Sequence, residues 1–275
     1  MQHLASSLIL FAMVSLFSCS KSPEEKINQN PDPNPASREK INILSYNIHH
    51  ANPPSRPDHI DLAAIAKVIL DSEADIVGLQ EVDVYTERSG SDLHQAKDLA
   101  ELTGMYFYFS KAIPYQGGAY GTAILSKYPL TDTLTYHLPA EEGTEPRTLS
   151  VATVELGNGQ EIKFANTHLD YTSASNALSQ AKTITDIFAE EQLPIILTGD
   201  FNATPDSETI NHLDGHFTRT CRQVCAPTIP VNNPTRAIDF IMFKSQSSFV
   251  VSEHRVINET YASDHLPVSA SLLLQ

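Results

Sequence analysis

The chain has 275 residues, of which 41% are hydrophobic, and it carries a formal net charge of −15. This length and apolar content suffice for one large α/β core or for two small ones. The acidic balance opposes nonspecific attraction to nucleic acid or to anionic membranes, although a local basic patch is compatible with it. A solvated acidic surface explains most of the charge.

The N-terminus predicts export. Leu4 to Phe17 is an apolar run that is short for a membrane span of about 20 residues and typical of a signal peptide. It ends in a Leu-Phe-Ser-Cys sequence that resembles a bacterial lipobox. We therefore predict a signal peptide over residues 1–18, lipidation of Cys19, and a lipid-anchored protein of the periplasm or cell surface. Because residues 1–3 lack Lys and Arg, an ordinary secretory signal and a retained anchor helix stay open as alternatives.

Residues 19–38 combine the lipidated cysteine with a segment rich in proline and polar side chains. Such a composition cannot pack a core and predicts an extended, disordered tether. The globular part is predicted to be one domain over residues 39–275, since neither an internal repeat nor a second linker interrupts it.

Strand-like and helix-like patterns alternate along this domain. A Gly-Asn-Gly sequence at residues 157–159 predicts a hairpin turn. Strands outnumber helices, which favours two packed, mostly antiparallel sheets with helices outside. The predicted strands cover 41–46, 76–79, 106–109, 121–125, 147–156, 161–165, 194–198, 238–243, 249–257 and 268–274, and the predicted helices cover 58–71, 92–102 and 175–190.

Two cysteines remain if Cys19 carries the lipid. Cys221 and Cys225 enclose a small loop, and in an oxidising compartment such a pair predicts a disulfide. The alternative is a zinc site, for which His212 and His216 are the candidate partners. Either interpretation gives the pair a structural role.

Polar side chains stand where apolar strands end, and the ends of strands are where a sheet commonly carries functional residues. One such residue alone is commonly a turn former, but Asp239 lies within an apolar strand and is costly there unless paired. Their number exceeds what turns require. The residues are Asn47, Glu81, His168, Asp200, Asn202, Asp239, Asp264 and His265.

The residue types indicate metal-assisted attack of water on a phosphate ester. Carboxylate and amide oxygens suit Mg²⁺, with Mn²⁺ or Ca²⁺ as alternatives, so Asn47, Glu81 and Asp264 are the predicted metal ligands. Asp239 is the predicted partner that holds the His265 imidazole in one tautomer. The chain contains neither a Gly-x-Ser-x-Gly elbow nor a glycine-rich phosphate loop.

Three further residues complete the predicted catalytic set. Asp200 is expected to orient or deprotonate the attacking water, while Asn202 and His168 are expected to donate hydrogen bonds to the phosphate oxygens.

The order of these motifs resembles that of the endonuclease/exonuclease/phosphatase superfamily. The resemblance extends from about residue 41 to residue 274. It implies a deoxyribonuclease I-like fold of the α/β (α+β) class, a four-layer sandwich of two mostly antiparallel sheets flanked by helices, and Mg²⁺-dependent phosphoester hydrolysis. It supports the roles given above. The motifs are Leu44-Ser45-Tyr46-Asn47, Leu79-Gln80-Glu81, Asn166-Thr167-His168, Gly199-Asp200-Phe201-Asn202, Arg236-Ala237-Ile238-Asp239 and Ser263-Asp264-His265.

Other residues near these motifs receive weaker interpretations. Arg147 resembles a family arginine near the phosphate and is a candidate phosphate ligand. Asp170 and Asn176 are interpreted as solvated loop residues, and Tyr115 and Tyr120 as ordinary packing residues.

Three functions fit the sequence. The favoured one is a phosphodiesterase or phosphatase that acts outside the cytoplasm on small or lipid-linked phosphate esters. An exported nuclease is the alternative, which the net charge of −15 and the absence of Trp disfavour. A non-catalytic binding protein is third, since every catalytic position is filled. The predicted partners are the phosphate-ester substrate and the membrane; no protein partner is inferred, and a monomer is the default.

Overall fold

A computed structural model describes residues 39–221, 223–244 and 249–275. The predicted signal peptide, lipidated cysteine and tether fall outside these residues. The strands are β1 (Lys40–Asn47), β2 (Ile76–Val84), β3 (Tyr106–Tyr115), β4 (Gly118–Ser126), β5 (Leu130–His137), β6 (Thr148–Glu155), β7 (Glu161–His168), β8 (Ile195–Asp200), β9 (Phe217–Arg219), β10 (Asp239–Lys244), β11 (Phe249–Val256) and β12 (Val268–Leu274). The helices are α1 (Leu62–Asp71), α2 (Gln95–Thr103), α3 (Ala174–Ile187) and α4 (Glu208–Asp214), with a short 3-10 turn at His49–Ala51.

The strands form two sheets of six, in the orders β11-β12-β1-β2-β4-β3 and β5-β6-β7-β8-β10-β9. Each sheet has one parallel pair, β1 with β2 and β7 with β8, and its other pairs are antiparallel. A helix connects the strands of each parallel pair, as such a crossover requires. The prediction of two mostly antiparallel sheets is confirmed.

Three apolar clusters hold four layers together. One lies between the sheets and includes Ile43, Phe164 and Ile196. A second packs α1 and α2 on the outer face of the first sheet, and a third packs α3 and α4 on the outer face of the second. The order is therefore helix, sheet, sheet, helix, which is the predicted sandwich.

A buried polar residue connects the two sheets. Asn166 on β7 donates from its side-chain amide to the backbone oxygens of Leu79, at 2.8 Å, and Ala123, at 3.0 Å. Its side-chain oxygen accepts from Gln80 at 2.6 Å and from Thr198 at 3.1 Å. Because both partners of each bond are buried, these contacts favour one alignment of the sheets.

Some element predictions were wrong. Strand β5 was missed because its Thr-rich residues are mostly exposed and lack an apolar alternation. Helix α4 was not predicted, because its seven residues are too few to show a helical periodicity. The helix predicted from residue 58 begins at Leu62, because the Asp61 carboxylate caps it by accepting from the backbone N–H of Ala64 at 3.0 Å.

Cys221 and Cys225 form a disulfide, as predicted. His212, the candidate zinc ligand, instead pairs its Nε2 with the Thr185 hydroxyl at 3.0 Å and packs on His216. Across the described ranges, no helix combines the length and the apolar character needed to cross a membrane.

Candidate active site

The predicted site residues come together at one edge of the sandwich. The carboxyl ends of β1, β7 and β8 and an irregularity within β2 at Glu81 meet there with the amino ends of β10 and β12, which run antiparallel to β8 and β1. Glu81 was predicted to end its strand, but β2 continues to Val84. The strand register places Asp200 opposite both His168 and Asp239. Topology therefore brings residues together that are far apart in sequence.

Asp200 lies at the centre of this edge and is 1% exposed. Its Oδ2 accepts from the Asn47 amide at 3.0 Å, and it lies 3.5 Å from His168 Nε2 and 3.7 Å from His265 Nε2. Its Oδ1 accepts from the backbone N–H of Asn202 at 2.9 Å. One carboxylate thus contacts groups from both sheets.

His265 is oriented by Asp239. Its Nδ1 lies 2.9 Å from Asp239 Oδ2 and 3.1 Å from Oδ1, which leaves Nε2 on the side of Asp200. The Thr228 hydroxyl donates to Asp239 at 2.5 Å, and the Ser263 hydroxyl accepts from the His265 backbone N–H at 3.3 Å. Thr228 was not predicted, because a loop threonine gives no distinctive signal, and Ser263 was part of a motif but had no role assigned to it.

Burial lowers the pKa of both histidines, but the charges next to them are negative for His265 and positive for His168. Burial acts to lower the pKa of His265, but the carboxylates of Asp239 and Asp200 raise it to about 10. Burial, with the nearby charges of Arg147 and His265, holds the pKa of His168 well below its usual range. His265 is therefore a cation and His168 a neutral imidazole near neutral pH. Burial and the charge of Asp239 raise the pKa of Asp200.

Two of the site residues have strained backbones. Glu81 has φ of 58° and lies at a β-bulge between Leu79 and Val82 in the pairing of β2 with β4. Asn202 has φ of 48°, and its side-chain amide donates to the Leu169 oxygen at 3.0 Å. A left-handed conformation is uncommon outside glycine and is often retained at functional sites. The bulge turns the Glu81 side chain toward the site.

Asn47, Glu81 and Asp264 form an oxygen-rich group. The Asn47 amide donates to Glu81 at 3.1 Å. Burial raises the pKa of Glu81, and the charge of Asp264 raises it further, so two carboxylates repel each other here. In the described part of the chain, neither forms an ion pair with Lys or Arg. Such a donor set fits a hard divalent cation.

A second cluster could also hold a metal ion. Ligand atoms of Asp200, Asp239 and His265 all lie within 4.8 Å of one another, and all three residues are buried. His265 Nδ1 already bonds to Asp239, however. His265 and Asp239 are therefore already hydrogen-bonded to each other, and Asp200 Oδ2 lies 3.7 Å from His265 Nε2.

Arg147 lies beside His168, next to the same edge. It is 3% exposed, its Nη1 lies 3.0 Å from Glu145 Oε1, and its charge acts on both His168 and the hydroxyl of Tyr120. Its Nε is buried and has no hydrogen-bond partner among the residues described. The exposed ring of Tyr171 lies 5.9 Å from its guanidinium. Arg147 thus offers a buried donor close to His168.

Asp170 and Asn176 correct the sequence interpretation. They are not solvated, since they are 2% and 1% exposed. The Asn176 amide donates to Asp170 at 2.6 Å, and Asp170 accepts from both the backbone N–H and the hydroxyl of Thr172 at 2.7 Å. They support the loop that follows His168, a role that only tertiary contacts reveal.

The fold and this edge together define a class of protein. The sequence pattern of the Endonuclease/Exonuclease/phosphatase family matches residues 44–265, and the chain belongs to that family. Its members are metal-dependent phosphoester hydrolases, and the chain is an enzyme of this kind.

Particular relatives are distant in sequence. The protein YbhP of Escherichia coli, whose function is uncharacterised, is 25% identical over 88% of this chain and all of its own length. A family member from Beutenbergia cavernae has a structure with a TM-score of 0.74 at 25% identity, covering 86% of this chain and 72% of that one. A mannosyl-6-phosphatase from Bacteroides thetaiotaomicron has a TM-score of 0.70 at 22% identity, covering 85% of this chain and all of the other.

Proposed function

We propose that this chain is a Mg²⁺-dependent phosphodiesterase or phosphatase that acts outside the cytoplasm on small or lipid-linked phosphate esters. The observation that carries the proposal is the position of Asp200, whose carboxylate contacts Asn47, His168 and His265 at 3.0 to 3.7 Å. A carboxylate at such a convergence can orient or deprotonate a water molecule that attacks phosphorus.

The surrounding donors suit a phosphate group that gains charge during the reaction. His265 is cationic, and His168 and Asn202 supply neutral N–H donors. Arg147 adds a fixed positive charge next to His168. Preorganised donors of this kind stabilise developing negative charge most effectively in a site with little water.

Asn47, Glu81 and Asp264 would hold the metal ion. Mg²⁺ is the preferred candidate because it binds carboxylate and amide oxygens, while Mn²⁺ or Ca²⁺ can occupy similar ligands. When bound, the cation supplies Lewis-acid polarisation of a phosphoryl oxygen. It would also offset the repulsion between Glu81 and Asp264.

A phosphatase or phosphodiesterase is preferred to a nuclease. A net charge of −15 repels a polyanion over most of the surface, and the absence of Trp removes the largest base-stacking side chain. The similarity in fold to a mannosyl-6-phosphatase supports a small phosphorylated substrate.

The test is hydrolysis by the purified full chain in detergent, with and without EDTA, after addition of Mg²⁺, Mn²⁺ or Ca²⁺. The substrates are bis-p-nitrophenyl phosphate, p-nitrophenyl phosphate, sugar phosphates, phosphoinositides, sphingomyelin, DNA and RNA. We expect metal-dependent turnover of small esters, lowered about 10²-fold or more by His265→Ala. Preference for DNA or RNA would favour the nuclease, and equal inactivity of wild type and variant on every substrate would contradict the enzyme proposal.

A further inference from the structure

Arg88 belongs to a rigid cluster next to the proposed catalytic residues. Its Nε and Nη2 donate to the two oxygens of Asp83 at 2.7 and 2.9 Å. Asp83 is fully buried and also accepts from the hydroxyls of Thr86, at 2.8 Å, and Ser89, at 2.6 Å. A carboxylate with four donors holds the guanidinium in one orientation.

The backbone around Arg88 is held equally firmly. Its N–H donates to Gln116 Oε1 at 2.9 Å, and the N–H of Glu87 donates to the Gln116 backbone oxygen at 3.0 Å. A Cβ at Gly118 would lie 2.1 Å from the Val84 oxygen, so only glycine allows this close approach. The loop after β2, residues 85–94, and the β3–β4 turn, residues 116–117, are therefore held together by hydrogen bonds. We call these two segments together the wall.

This wall adjoins the catalytic edge through Tyr120. The Arg88 guanidinium lies 4.6 Å from the centre of the Tyr115 ring and 5.4 Å from that of Tyr120. Tyr120 in turn lines one small cavity together with Arg147 and His168, and the charges of Glu81 and Arg147 act on its hydroxyl. Tyr120 thus lies between Arg88 and the residues proposed to bind metal and phosphate.

Two side-chain nitrogens, one on this wall and one beside it in the turn after β1, have no hydrogen-bond partner among the residues described. Within the residues described, no hydrogen bond involves Arg88 Nη1, and the Arg88 side chain is 27% exposed. His50 is connected to Asp83 through Gln95, whose side-chain oxygen accepts from the Asp83 backbone N–H at 2.9 Å and whose side-chain amide donates to the His50 backbone oxygen at 2.6 Å. The Nδ1 of His50 is buried without a hydrogen-bond partner in the same described ranges.

His50 is also held in a strained position. It has φ of 43°, between His49 at 45° and Ala51 at 58°, and its backbone oxygen accepts from the Gln95 amide at 2.6 Å. An unpartnered buried nitrogen is costly, and strain of this kind often accompanies a binding role.

We propose that Arg88 and His50 form a subsite for hydroxyl groups on the alcohol part of the substrate, such as a sugar or polyol. Asp83 balances the charge of Arg88, so the pair offers directed hydrogen bonds without a net positive charge. A second phosphate would meet the carboxylates of Asp83 and Glu81, whereas neutral hydroxyls can donate to His50 and accept from Arg88. This inference rests on the proposed phosphoester hydrolysis and names the class of alcohol.

A purely structural role for Arg88 is the competing explanation, and Arg219 provides a matched control. Arg219 on edge strand β9 donates from Nε and Nη2 to Asp214 at 2.9 and 2.8 Å, and its guanidinium lies 5.6 Å from the ring of Phe240. It has the same type of ion pair and ring contact, but it is not among the residues at the catalytic edge.

The experiment compares Arg88→Gln with Arg219→Gln in the full chain in detergent. For each, kcat/KM is measured with myo-inositol 1-phosphate and mannose 6-phosphate, and with phenyl phosphate, whose alcohol has no further hydroxyl. We expect Arg88→Gln to lower the ratio of kcat/KM for the hydroxylated esters over phenyl phosphate about tenfold, as loss of a hydrogen bond to a charged group predicts. Arg219→Gln should leave that ratio unchanged.

Binding provides a readout that does not depend on turnover. Calorimetry of the His265→Ala protein with mannose 6-phosphate and myo-inositol 1-phosphate should show affinity that Arg88→Gln lowers about tenfold and Arg219→Gln does not. If wild type hydrolyses no ester but this binding pattern holds, the hydrolase proposal fails and the subsite stands. An equal loss on phenyl phosphate and the hydroxylated esters, or no binding of either sugar or polyol phosphate, overturns the subsite.

Discussion

Asp200 and Asp239 stand directly opposite each other in the antiparallel pairing of β8 with β10, and His265 lies between their carboxylates. Two buried carboxylates at such close range repel each other, which raises the cost of ionising both. The cationic imidazole of His265 offsets that cost. The register of one strand pair therefore creates the conditions that keep His265 charged.

The first prediction is that Asp239→Asn weakens catalysis by lowering the pKa of His265. Without the Asp239 carboxylate, less negative charge offsets the effect of burial on the pKa of His265, so the protonated imidazole becomes less stable. We expect kcat to fall about 10²-fold and the His265 pKa, followed by NMR of the imidazole, to fall below its wild-type value of about 10. Asp214→Asn, which removes a distant carboxylate paired with Arg219, should change neither; a wild-type His265 pKa in Asp239→Asn would contradict the assignment.

The second prediction concerns the contact between the sheets. A Cβ at Gly78 would lie 2.1 Å from Thr198 Oγ1 and 2.7 Å from Asn166 Oδ1. Gly78→Ala should therefore lower the free energy of unfolding by about 1–3 kcal/mol through overpacking, as measured by urea denaturation. At Gly157, where the nearest atom to an added Cβ is 3.5 Å away, the same substitution should change stability by less than about 0.5 kcal/mol. Equal stability of both variants would argue against tight packing at Gly78.

The third prediction is a dependence of stability on pH through His50. Burial, together with the charge of Arg88, lowers the pKa of His50 from 6.5 to about 4. Between these values the unfolded chain binds more protons than the folded one, so the free energy of unfolding must fall as the pH falls from 6.5 to about 4. His50→Gln removes this contribution. Urea denaturation at a series of pH values should give a shallower slope for the variant, by at most about one proton, and an unchanged slope would contradict the assignment.

The fourth prediction tests the membrane anchor, for which Cys19 stays a sequence-based hypothesis. Cys19→Ser should move the protein from the membrane fraction to the aqueous fraction, because the acyl chains supply the attachment. Turnover of p-nitrophenyl phosphate by the purified protein should not change. A double Cys221→Ser, Cys225→Ser variant is the control and should stay with the membrane. Persistent membrane binding of Cys19→Ser would instead indicate a retained helix.

Sequence periodicity was sufficient to predict the helices and strands that have a clear apolar face. Strands such as β1 and β8 were predicted to within a few residues because their buried runs are bounded by polar ends. Strand β5 could not be predicted, because its mostly exposed residues do not show the alternation of apolar and polar side chains that a half-buried strand produces. Asp170 was misinterpreted for the opposite reason: its burial depends on Asn176 and Thr172, and composition does not record such contacts.

By itself, the sequence determined the family, the class of chemistry and the set of polar strand ends, because residue types and their order along the chain carry that information. Only the tertiary structure decided how these groups meet. The distances from Asp200 to Asn47 and His265 depend on strand register and on sheet packing, which involve residues more than one hundred positions apart in the first case. The wall around Arg88 likewise arises from contacts between separate loops, and no local pattern specifies them.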